Sequence, residues 1–215
     1  MSSAIFDPRG MESKLTRLFR YLAINVVVTY LIGAIFYADE FLFWQHAFSE
    51  LGTTFTLQGT PNLISSMIMT LGMFISGRLL LEIARTYPLC LSQPHTRLKS
   101  SLMYVASLGS FISIFPNNLY HTLHSIGSAC CIGGIFLLDL LILREYIASQ
   151  KPIMAYILMG LLTMSVFSYA ITYFMDLPIK QATQKICVIN LLLILYQAAP
   201  NHQRLPSSLV FSRLN

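Results

Sequence analysis

The chain has 215 residues, of which 55% are hydrophobic and only 11% charged, with a formal net charge of +5. Soluble domains carry about 25% charged residues, so this composition indicates an integral membrane protein. Several spans with short connections leave no room for a separate soluble catalytic domain, and nucleic-acid binding is not expected because the basic residues sit where membrane topology would put them.

Residues 1–17, with the turn Pro8-Arg9-Gly10, read as a short cytoplasmic tail. The first apolar run is long, begins late and has no small-residue cleavage site after it, so no cleavable signal peptide is expected. A first span is predicted over 18–37, with Arg17 and Arg20 at its inner end and Tyr37, Phe41, Phe43 and Trp44 at its outer end. In 39–51, DEFLFWQHAFSEL, a helix would place Phe41, Trp44, Phe48 and Leu51 on one face. A short helix lying in the outer interface or capping the bundle is therefore expected, with Gly52 as its stop.

Pro61 opens a second span over 62–84, where Gly72, Ser76 and Gly77 allow close packing and Arg78 lies about a turn and a half from the end. A basic loop with two prolines leads to a short third span over 100–115, rich in serine and glycine. PNNLY then turns into a fourth span over 121–144, followed by a fifth over 152–175 and a sixth over 186–199, whose ends are the least sharply marked. The expected fold is all-α: a six-helix membrane bundle over 18–200, with a second cytoplasmic tail over 201–215. Counting twelve of the fourteen basic residues on one side, and only Lys180 and Lys185 on the other, puts both termini in the cytosol. If the chain is bacterial, the membrane is the plasma or inner membrane.

The fourth span carries His121, His124 and Asp139. His121 and Asp139 are eighteen positions apart, five whole turns, and so share a face. Ser125, Ala129 and Gly133, with Gly127 and Gly134 beside them, favour close approach of a neighbouring helix or of a second copy of the chain. An aspartate within a span needs a partner. The fourth helix is accordingly placed at the centre, paired with the second through an Arg78–Asp139 ion pair that sets packing and registry, Glu82 and Arg144 being alternatives. Cys90, Cys130, Cys131 and Cys187 lack metal-type spacing and read as packing residues.

The same topology gathers His46, Ser49, Glu50, Asn62, Asn117, His121 and His124 at the outer leaflet as a pocket for a lipid headgroup or small polar ligand. His46 and Glu50 are spaced i, i+4 and His121 and His124 i, i+3, so the four also form a candidate zinc set; otherwise no cofactor is expected. Zinc held there would support an intramembrane lipid hydrolase. The polar stripe from His121 to Asp139 leaves a small transporter or channel as a further alternative, though no inverted repeat is visible.

The segment S-E-L-G-T from Ser49 to Thr53, the P-N opening of the second span, the basic loop after it, and the histidine opening of the fourth span resemble the damage-regulated autophagy modulator (DRAM) superfamily. In its eukaryotic branch the segment typically reads S-D-x-G, so Ser49, Glu50 and Gly52 match with glutamate for aspartate, and His121 or His124 matches the histidine. The resemblance implies six helices and lipid-associated membrane work, in a superfamily linked to lysosomal autophagy, GPI-anchor lipid remodelling and phosphoinositide-kinase recruitment. Without the long tails of the signalling members, a lipid-handling or membrane-organising role without catalysis is the expectation, with membrane lipids as partners.

Overall fold

The computed structural model describes residues 8–90, 93–149 and 152–198. It contains α1 (Pro8–Ile35), α2 (Leu63–Thr86), α3 (Thr96–Ile112), α4 (His121–Ser149), α5 (Pro152–Phe174) and α6 (Lys180–Ala198). Among the described residues there is no strand, only an isolated bridge between Phe55 and Pro61. The protein is all-helical, and α1, α2, α4 and α5 are long and apolar enough to cross a membrane. The tail expected over 201–215 lies outside the described residues, and α1 begins at Pro8, ten residues before the predicted start. Proline suits a first helical position because its missing N–H would have no partner there. At the other end of the chain α6 starts at Lys180 rather than 186.

Neighbouring helices pack in chain order, and α6 closes back on α1 and α4. Small residues set these approaches. A Cβ on Gly72 would fall 2.1 Å from the Thr29 side chain, and one on Gly109 would fall 2.4 Å from the Cys131 backbone nitrogen and 2.5 Å from the Gly127 carbonyl. The α3–α4 crossing is thus backbone against backbone, through Gly109, Gly127 and Gly134. Three serines reinforce the α2–α3 contact: Ser100, Ser107 and Ser110 donate to the carbonyls of Ala84, Gly77 and Met73 at 2.7, 2.8 and 2.8 Å. From α1, Asn25 Nδ2 donates to the Gly72 carbonyl and to Ser76 Oγ, each at 2.9 Å.

Two expectations are corrected here. Helix α4 does not pack on α2, because α3 lies between them. The Arg78–Asp139 pair is therefore not formed: Arg78 is exposed, while Asp139 is fully buried and neither of its oxygens has a hydrogen-bond partner among the described residues. The ion pair that does tie α4 to a neighbour joins it to α3, where fully buried Lys99 Nζ meets Glu145 at 2.6 Å.

The second correction concerns 39–51, which takes the capping position, one of the two expected, but forms no α-helix. Its only helical part is the 3-10 turn Phe48–Gly52. The chain turns first at Leu42–His46, where His46 Nδ1 accepts the Leu42 N–H at 2.9 Å, and Ala47 is then extended. A side chain that satisfies the backbone locally competes with helix formation. The result is a cap folded over one end of the bundle, with Phe48 and Leu51 buried and Trp44 exposed.

Candidate functional site

Beneath the cap lies a cavity of ≈ 120 Å³, walled by α1, α2, α3, α4 and α6. Along α2 its lining runs from Met69 to Leu80, roughly 16 Å at 1.5 Å per residue. The wall is mostly apolar, with Leu22, Val26, Ile132, Ile135 and Leu191 among its residues; Ser49, His124, Gln184, Thr70, Tyr30 and four helix serines supply its polar groups. No Asp, Glu, Lys or Arg lines it among the described residues.

The cap is fixed from two sides. From α2, buried Asn62 accepts the Ala38 N–H at 3.1 Å and donates to the Thr53 carbonyl at 3.0 Å, and Ser65 Oγ lies 2.8 Å from the carbonyls of Gly33 and Leu51. From α6, Gln184 accepts the Phe48 N–H at 2.8 Å and donates to Tyr169 at 3.2 Å. Lys185, fully buried, donates to the His46 carbonyl, with its ammonium 5.2 and 5.0 Å from the ring centroids of Phe43 and Phe48. Tyr30 of α1 stacks on Phe48 at 4.0 Å.

The seven side chains expected to form one pocket divide into groups. Ser49 and His124 line the cavity. His46 and Asn62 are buried inside the cap and hold its backbone. Asn117 and His121 bond to each other at 2.8 Å on the exposed surface. Glu50 keeps one buried oxygen, and Asp39 another, without a hydrogen-bond partner among the described residues.

Among the described residues no three His, Cys, Asp or Glu side chains form a group suited to a metal, so His46, Glu50, His121 and His124 do not converge as the zinc reading requires. Nor is a serine hydroxyl hydrogen-bonded to a histidine ring among them. His124 Nδ1 lies 2.9 Å from the Phe115 carbonyl; a carbonyl only accepts, so Nδ1 donates, and the neutral ring keeps Nε2 as an acceptor.

Tyr30, Gln184 and Lys185 were not singled out by the sequence. A signal existed: Gln181, Gln184, Lys185 and Val188 follow i, i+3, i+4, i+7 spacing, one helical face turned to the bundle. Reading the sixth span from 186 divided that face and left the lysine in a loop.

No family model, curated protein or solved structure matches this chain. Its function rests on the geometry.

Proposed function

We propose that this is a six-span membrane protein that holds a lipid in the capped cavity and handles or organises it without catalysis. The cavity itself carries the reading: a mostly apolar slot with Ser49 and Gln184 at its cap suits an amphiphile, since ligand sites are mostly apolar with few orienting polar groups. The stretch of α2 that lines it, roughly 16 Å, compares with about half of the ~30 Å hydrocarbon core, the reach of one leaflet. The expected placement of the cap at the outer face, from the distribution of lysine and arginine, puts that slot in the outer leaflet. The likeness to the DRAM superfamily, whose roles share lipid-associated membrane work, points the same way.

Helix order supports six crossings. Contacts pair residues of α2 and α3 antiparallel, as Ser100 with Ala84 and Ser110 with Met73, and those of α3 and α4 likewise, as Lys99 with Glu145 and Ser113 with Ser128. If α2 and α4 both cross, α3 between them has to return across the membrane. At 17 residues it is roughly 25 Å long, short for a span but completed by the turns at its ends.

Native mass spectrometry of protein extracted in mild detergent tests the reading. The expected outcome is a retained lipid that is lost on Val188→Trp, which fills the cavity, while the protein stays folded. Lipid-free protein from every gentle extraction, or retention unchanged by Val188→Trp, overturns it.

A further inference from the structure

We infer that the lipid is uncharged and carries a free hydroxyl where its polar end enters the cavity, the class that includes diacylglycerols and long-chain alcohols. This deepens the lipid reading above and rests on it. Three observations point the same way.

The first is the lining. None of its described residues is Asp, Glu, Lys or Arg, so a phosphate drawn inside would lose its hydration and meet no counter-charge. The second is the cap, where among the described residues no cation is left over for an anion. Buried Lys185 is engaged with the His46 carbonyl and two phenyl rings, and its charge is answered by the Glu50 carboxylate. Lys180 is paired with Asp176 ahead of α6. An anionic headgroup at the cap would therefore compete with carboxylates already in place.

The third observation is what the polar groups do offer. His124 donates Nδ1–H to the Phe115 carbonyl, with the Ser113 backbone also against the ring, and in the neutral ring Nε2 is the acceptor. Ser49, also on the lining, has a hydroxyl that both donates and accepts. An acceptor and a hydroxyl on one mostly apolar lining suit a ligand that brings its own O–H. It is a poor match for a headgroup with acceptors only.

The test uses full-length protein in phosphatidylcholine nanodiscs containing a diazirine-tagged diacylglycerol or the phosphatidic acid with the same chains. Photolysis and peptide mapping locate the crosslinks. Diacylglycerol is expected to label cavity residues such as Ile132 and Leu191, at least about tenfold above phosphatidic acid. The preference should narrow on Ser49→Ala combined with His124→Gln. If that variant does not fold, competition of the wild-type signal by unlabelled diacylglycerol, but not by unlabelled phosphatidic acid, gives the same readout. Equal or stronger cavity labelling by phosphatidic acid overturns this inference and leaves the lipid reading standing. No cavity labelling by either probe overturns both.

Discussion

Asp139 is the residue at which charge and surroundings disagree most. It is fully buried, its neighbour Leu138 belongs to the main apolar core, and neither carboxyl oxygen has a hydrogen-bond partner among the described residues. Removing one partner of a buried ion pair costs about 3–5 kcal/mol because the other charge is stranded. No such partner stands beside Asp139 among the described residues, so Asp139→Asn is expected to change the unfolding free energy by less than about 1 kcal/mol, the range of a same-shape replacement that strands no partner group. Arg78→Ala should be equally mild, since that side chain is exposed. Unfolding by titration with a denaturing detergent measures both. Losses of several kcal/mol in each single variant, with no further loss in the double variant, would restore the pairing that the fold denies. Glu145→Gln supplies the contrast, because it removes the partner of buried Lys99 and belongs in the costly class.

Small residues at the helix crossings do different jobs, and composition alone does not separate them. Gly133 belongs to the run that suggested close packing, yet a Cβ there meets nothing within 4 Å. Gly109 drew no notice, although its Cβ would fall on the Cys131 nitrogen and the Gly127 carbonyl, backbone atoms that cannot step aside. Gly109→Ala is therefore expected to destabilise by about 1–3 kcal/mol through overpacking. Gly133→Ala should be neutral, or stabilising by up to about 1 kcal/mol from helix propensity. Thermal unfolding followed by circular dichroism in detergent compares them, and equal effects would place the α3–α4 crossing elsewhere. The same contrast explains what the sequence made legible. Apolar runs marked all six helices, because an apolar run is a property of one segment, and four of them, α1, α2, α4 and α5, are long and apolar enough to cross a bilayer. Which helix faces which is a property of pairs: Ser100, Ser107 and Ser110 look like any serines in a span until α2 presents its carbonyls to them. The cap was misread for a related reason. Phe41, Trp44, Phe48 and Leu51 keep a helical period, but the His46 ring closes a turn onto Leu42 before a helix can form.

At the scale of the whole molecule, the cap and cavity belong to the outer leaflet only if the three connections α1–α2, α3–α4 and α5–α6 lie on one side. Each supplies an exposed reporter position: Leu57, Leu119 and Met175 are 74%, 59% and 65% exposed. Arg97, near the start of α3, marks the other side and is also exposed. Single cysteines at these four sites, in intact cells treated with a membrane-impermeant maleimide, give a direct count of crossings. The native thiols interfere little, since Cys90 and Cys187 are buried and Cys130 and Cys131 lie within α4. Six crossings with both tails inside require Leu57→Cys, Leu119→Cys and Met175→Cys to react before lysis, and Arg97→Cys only after it. If α3 failed to cross, Leu57→Cys and Leu119→Cys would fall on opposite sides. That pattern would also conflict with the serine ladder, which fixes α3 antiparallel to α2 along most of its length. Reaction of Arg97→Cys alone would turn the bundle over, keep every internal contact, and move the lipid slot to the cytoplasmic leaflet.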